Sequence, residues 1–266
     1  MNSTVASPSR KSQKLLNSHI VDEGEDRISN LPDSVLHHIL SFLPTKYAVG
    51  TCILSKRWQF MWTSISNIDF CDFMFYSCEK KYSFPLERTS FSNCVERVLI
   101  LRDASIIKKF RLRCFASIDA SHVHTWISAA IRHGVQELEL STHSTNIALP
   151  YCLFICESLT ILKLGSGSIL KVPTSIYFPN LKTFHLDQVT FIDDLSTQKL
   201  FSNSPVLQEL SLTECVWNNI KSTTIRVPSL KRLTIDYIPY CSVDDILDCE
   251  INVYAENLIY FNCSGD

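Results

Sequence analysis

The sequence predicts an α+β protein in which a small N-terminal unit of three short helices is followed by an irregular α/β solenoid. Two patterns predict it. Between Asp26 and Trp62 apolar residues recur with helical spacing and are punctuated by prolines. From about residue 107 onward a short apolar cluster returns at a nearly constant interval. Composition sets the bounds: 266 residues, 45% hydrophobic and 20% charged with only 6 glycines, can bury a sizeable core and do not resemble a flexible linker.

The helical unit opens with DRISNLPDSVLHHILSFL, where Asn30 or the Pro32-Asp33 pair can start a helix and Pro44 ends it. Its apolar set, Val35, Leu36, Ile39, Leu40, Phe42 and Leu43, covers more of the helix circumference than one core-facing stripe requires. After Pro44, Thr45 can cap a second short helix, and Ser55 a third that contains Arg57, Trp58, Met61 and Trp62. A unit this small cannot cover all of these groups, so a partner is expected to complete its core.

In the second region the pattern L-x-x-L-x-L, read with other apolar residues allowed, recurs six times. The copies are Val135, Leu138, Leu140; Leu159, Leu162, Leu164; Leu181, Phe184, Leu186; Leu207, Leu210, Leu212; Leu230, Leu233, Ile235; and a weaker Leu258, Phe261, Cys263. Their first members lie 24, 22, 26, 23 and 28 residues apart, inside the roughly 20–29 residue period of leucine-rich repeats. Ile107, Phe110 and Leu112 form an earlier copy, with a helix from His122 to His133 on the convex side. The last two anchors of each copy are two apart, so both point into the solenoid while their neighbours point out. Prolines in FPNLKTF, SPVLQEL and VPSLKRL fix the approach to each strand.

These patterns divide the chain into a disordered lead-in over 1–25, a helical unit over 26–65, a helical linking segment over 66–106 and repeats over 107–266. A net charge of -2 gives no electrostatic reason to expect nucleic acid or an anionic membrane as partner. Apolar runs such as Tyr151 to Cys156 are far short of a membrane span, and the N-terminus carries no apolar signal core. The 11 scattered cysteines read as reduced thiols, with Cys152 and Cys156 as core residues. A soluble protein in the cytoplasm or nucleus is the expectation.

No cofactor, metal or catalytic residue is expected. His122 and His124 with Cys114, and the pair His37-His38, read as structural histidines, and Arg10, Lys11 and Lys14 as solvated cations. The outward strand positions give a central lane of Glu139, Lys163, His185, Ser211 and Thr234, flanked by Glu137, Ile161, Thr183, Glu209 and Arg232. Of these, Glu139, Lys163, His185, Ser211, Arg232 and Thr234 are the candidates for contact with a ligand on this face. The lane is mixed in charge and contains no nucleophile–base pair.

The stretch LPDSVLHHILSFLPTKYAVGTCILSKRWQFMW resembles the F-box of plant F-box/leucine-rich-repeat proteins, with the L-P start, the S-F-L-P-T break and the L-S-K-R-W end. The following FSNCVERVLILRDASIIKKFRLRC and the repeats look like the same family, so the resemblance spans almost the whole chain. It implies a non-catalytic substrate receptor: the F-box docks on a Skp-type linker and through it a cullin, and the repeats bind the protein to be ubiquitinated. Carried over by position, the linker contacts are Leu31, Pro32, Leu36, Ile39, Leu40, Val49, Leu54 and Trp58.

There are departures from the family pattern. Tyr47 stands where an acidic residue is frequent, and Gly50 where alanine is usual, at a cost of about 1 kcal/mol. Many members carry a further domain after the repeats, whereas this sequence stops at Asp266, so the solenoid is expected to be incompletely capped there. The alternative reading is an F-box/repeat interaction protein without a ligase role, or a degenerate truncated copy.

Overall fold

Prolines set the first two helices. In the computed structural model, which describes residues 28, 30–75, 84–143, 149–165, 169–170, 172–173, 175–218, 220–236 and 249–264, Pro32 is the N-cap of α1 (Asp33–Ser41) and Pro44 that of α2 (Thr45–Gly50). Each lacks the N–H that a helix start would leave unpaired. A 3-10 turn (Thr51–Ile53) and a 3-10 segment (Trp58–Ser64) follow. The third helix expected from Ser55 is therefore a tighter 3-10 segment. Thr45 is the first residue of α2 and not its cap; its buried hydroxyl accepts a hydrogen bond from the Asp69 N–H at 2.8 Å.

The strands then arrive with their crossovers. In chain order they are β1 (Asn67–Cys71), helix α3 (Phe84–Leu101), β2 (Lys109–Cys114), helix α4 (Ala120–Arg132), β3 (Glu137–Thr142), β4 (Ile161–Gly165), β5 (Ile169–Leu170) and β6 (Thr183–Asp187). There follow β7 (Thr190–Phe191), helix α5 (Asp194–Ser202), β8 (Glu209–Thr213), β9 (Val216–Trp217), β10 (Ser222–Arg226), β11 (Arg232–Asp236), β12 (Glu250–Tyr254) and β13 (Tyr260–Ser264). Among the described residues, one parallel sheet runs in the order β1-β2-β3-β4-β6-β8-β11-β13. Two smaller parallel sheets, β5-β7-β9 and β10-β12, lie on the return path.

Register carries the repeat. Phe110, Leu138, Leu162, Phe184, Leu210 and Leu233 are direct partners across consecutive strands and are buried. Leu112, Leu140, Leu164, Leu186 and Leu212 form a second buried row. At β13 the inward position Phe261 is 56% exposed. Helix α4 covers the other side of the ladder with Val123, Trp126, Ile127 and Ala130 buried; Asp119 caps it by accepting from the Ser121 N–H at 2.8 Å. Gly134, at φ +65°, ends this crossover and lets its N–H reach the Ile131 carbonyl at 2.9 Å.

The sheet starts earlier than residue 107. β1 lies inside the segment expected to be a helical link, and Ile65, Ile68 and Phe70 repeat the anchor spacing of the later copies, all buried. The expected helical content of that segment is present too, as α3.

The N-terminal helices are built onto this first strand and share its core. Leu36, Leu40, Ala48, Trp58, Met61 and Trp62 belong to the same buried cluster as the repeat anchors through Leu233. Polar contacts fasten the joint: Lys46 Nζ donates to the Met74 carbonyl at 2.6 Å and lies over the Phe75 ring, and Arg102 Nη2 donates to the Ile65 carbonyl at 3.4 Å while also holding its own loop through Ser105. Backbone bonds from Asp103 to Thr63 and from Lys108 to Ser66 close the same seam. The helical unit thus covers the end of the solenoid, where an apolar core would otherwise meet water.

Cys71, Cys114, Cys156 and Cys215 are buried free thiols, and Cys152 is half-buried with its sulfur 3.7 Å from the Ser128 hydroxyl. Burial pushes the Cys215 thiol up to about 12 and raises Cys114 as well, with the Asp72 carboxylate adding to the latter. The lead-in over 1–25, including Arg10, Lys11 and Lys14, lies outside the described residues. Among the described residues no helix is long and apolar enough to cross a membrane.

Candidate protein-binding surfaces

Helix α1 carries apolar residues on two sides, and the fold uses the two sides differently. Leu36 and Leu40 face inward and are fully buried, while Val35, Ile39 and Phe42 face solvent. The outer surface continues through Tyr47 on α2 and the turn after it. Phe42 is 74% exposed, Ile53 86%, Leu54 64% and Phe60 67%. So many large apolar side chains at the surface of one small helical unit mark a place for a partner.

Arg57 clamps this unit shut. Its guanidinium donates to the Leu31 carbonyl at 2.6 Å and to the Asp33 carboxylate, joining the L-P start of the motif to its L-S-K-R-W end. That hydrogen bond, with the arginine charge behind it, holds the Asp33 carboxyl below the usual carboxylate range. The Leu31 side chain is half-buried beside the clamp, and Pro32 is exposed.

Three of the expected linker contacts are corrected here. Leu36, Leu40 and Trp58 lie in the chain's own core and leave no surface for a partner, because the end strand of the sheet needs covering and these side chains cover it. Ile39 and Leu54 are exposed, and Val49 is half-buried against the core. Phe42, a member of the broad apolar set of α1, together with Ile53 and Phe60, none of them among the expected linker contacts, carries more of the outer surface. The signal was present in T-C-I-L-S, but a helical wheel does not place it, because the backbone tightens to 3-10 geometry at Thr51 and rotates the faces. Gly50, the last residue of α2, has open space where a Cβ would project, and Tyr47 is exposed.

The second surface is the open face of the sheet. Glu139, Lys163, His185, Ser211 and Thr234 are register partners on five consecutive strands, and Arg232 lies one lane away beside Glu209. The lane extends back through Arg111 to Asp69, so its first four positions alternate in sign: Asp69, Arg111, Glu139, Lys163. Arg111 Nε lies 2.8 Å from Glu139, Arg113 3.2 Å from Asp69, and Lys109 pairs with Glu137. Such pairs are each worth a few tenths of a kcal/mol, up to about 1, and they neutralise one another. Farther along, His185 Nε2 is 3.1 Å from Glu209, which also faces the Arg232 guanidinium at 3.7 Å. The Ser211 hydroxyl meets that of Thr213 at 3.4 Å, while Lys163 has no ion pair among the described residues.

Among the described residues no group of His, Cys, Asp and Glu is arranged to hold a metal ion. His37 lies beside the Ser64 hydroxyl, and His122 sits edge-on to Trp126 with Glu96 at 3.5 Å.

An open parallel ladder closed at one end by a helical hook with an apolar outer surface defines a leucine-rich-repeat protein with a terminal helical unit. A family model described as "FBD-associated F-box protein At5g56370, LRR repeats" matches residues 123–262, and the F-box domain matches residues 28–70. The chain belongs to the F-box/leucine-rich-repeat proteins. Relatives in Arabidopsis thaliana include F-box/LRR-repeat protein At3g59200, 36% identical over 244 residues, which are 90% of this chain and 46% of the relative. FBD-associated F-box protein At4g10400 is 40% identical over 79% of this chain and 50% of its own length. F-box protein At4g09920 is 38% identical over 82% and 68%. The chain spans about half the length of the first two.

Proposed function

We propose that this protein is the substrate receptor of a Skp-cullin-F-box ubiquitin ligase, docking on a Skp-type linker through the F-box and presenting a target protein on the open face of its repeats. The observation that carries the reading is the apolar surface around Phe42, Ile53, Leu54 and Phe60, on the part of the chain that matches the F-box, a module that in general binds Skp-type linkers. The catalytic effect is proximity: a rigid joint between hook and ladder holds a bound target at a fixed distance from enzymes recruited through the cullin. The chain itself supplies no chemistry in this reading. Its proposed setting is the cytoplasm or nucleus.

Affinity purification of the tagged chain from plant cells, with and without proteasome inhibition, tests this directly. The Skp-type linker and a cullin are expected in both samples, and a target protein is expected to accumulate only under inhibition. Recovery of the linker without any cullin would refute the ligase role.

A further inference from the structure

We propose that the N-terminal edge of β6, β8, β11 and β13, the last four strands of the main sheet, is a docking groove for an acidic segment of the target, with paired carboxylates three residues apart. The inference rests on the reading of the repeats as a target-binding surface and gives that target a chemistry. The groove, about 500 Å3, is lined by Lys182, Gln208, Glu209, Lys231, Arg232 and Tyr260.

Its charge balance differs from that of the rest of the sheet. On the first strands Lys109, Arg111 and Arg113 are each met by Asp69, Glu137 or Glu139. In the groove, neither Lys182 nor Lys231 has an ion-pair partner among the described residues, and both are exposed. The one lining carboxylate, Glu209, is shared between His185 and Arg232. Cations therefore outnumber carboxylates in a concave site, and a concave site with an excess of one sign concentrates its field on a ligand of the other.

The backbone fixes the spacing of the lysines. The Lys182 carbonyl accepts from the N–H groups of Gln208 and Glu209, and the Lys231 carbonyl accepts from those of Ile259 and Tyr260. Lys182, Gln208 and Lys231 thus occupy one position on successive rungs, which puts the two lysines two strand spacings apart, about 10 Å. An extended polyproline-II segment returns to the same side every three residues, about 9.3 Å along its axis. Carboxylates at i and i+3 of such a segment match the two ammonium groups, and Arg232 lies beside the second.

The test uses the purified full chain and a fluorescein-labelled peptide containing Glu-Pro-Pro-Glu in a neutral serine and threonine background, followed by anisotropy. Binding is expected, with affinity falling about tenfold in the double variant Lys182→Glu/Lys231→Glu, since two exposed ion pairs are lost and replaced by repulsion. Lys182→Gln/Lys231→Gln, which adds no charge, should show a smaller loss in the same direction. Lys108→Glu/Lys221→Glu, the same charge change outside the groove, should bind as the unaltered chain does. Equal loss in that control, undiminished binding in the groove variants, or equal binding of a peptide with adjacent glutamates would overturn the assignment. The linker plays no part in this measurement, so failure here is separate from failure of the receptor reading. A target that still co-purifies with Lys182→Glu/Lys231→Glu would keep the receptor reading and sink the groove.

Discussion

Helix α1 and the strand ladder each have two faces, and their second faces differ in kind. Both bury one apolar face in a common core: Leu36 and Leu40 from the helix, and Leu138, Leu162 and Leu210 from the ladder. The outward face of the helix is again apolar, with Val35, Ile39 and Phe42, whereas that of the ladder is charged and in part self-neutralised. An apolar second face gains by being covered with any complementary apolar surface, which suits a constant partner. A polar second face gains little from burial as such and selects its ligand by placement of charge, which suits a specific one.

The strongest way to break this comparison is to attack the faces that are shared. Leu40→Ala empties a fully buried site and is expected to destabilise the protein by about 2–5 kcal/mol. Because the hook and the repeats share one core, urea unfolding followed by tryptophan fluorescence and by far-ultraviolet circular dichroism should show one coincident transition moved to lower urea. Two separate transitions, with only the first moved, would show that the hook is an independent domain.

The outer face should give the opposite pattern. Ile53→Asp/Leu54→Asp is expected to leave stability within about 0.5 kcal/mol, since both side chains already face water. Affinity for a Skp-type linker, measured by calorimetry, should fall by about thirtyfold or more, as for a central apolar anchor worth about 2 kcal/mol. Unchanged affinity would remove this surface from the docking site and with it the main support for the receptor reading.

The inward ladder was legible because its signal is redundant: the same three anchors, at a spacing set by strand geometry, returned at intervals close to one another. Ile65, Ile68 and Phe70 escaped because α3 is inserted after them, so the next copy begins at Ile107, 107 − 65 = 42 residues on and outside the repeat period. Leu36, Leu40 and Trp58 are expected as linker contacts through positional resemblance to the F-box, and position in a motif does not show which apolar side chains the rest of the chain covers. Lys182 and Lys231 were invisible for another reason. They lie one residue before their strands, off the outward lanes, and their lack of counter-charges depends on neighbours more than twenty residues away.

The smallest expected effect tests the joint between the two regions. His133 follows α4, where its carbonyl accepts from the Ile107 N–H at 3.0 Å, and it lies near Arg102, whose Nη2 donates across the seam to the Ile65 carbonyl at 3.4 Å. Burial, then the charges of Arg102 and Arg132, hold its pKa below the ordinary histidine value. The folded state therefore takes up this proton less readily than the unfolded chain does. The contribution of a neutral His133 to stability is fully present above the unfolded pKa, roughly 6.5, and is lost as pH falls through the lower folded value. His133→Gln should flatten the pH dependence of the urea midpoint in that window and change it little at pH 8. Parallel curves for the variant and the unaltered protein would show that the seam does not sense this charge.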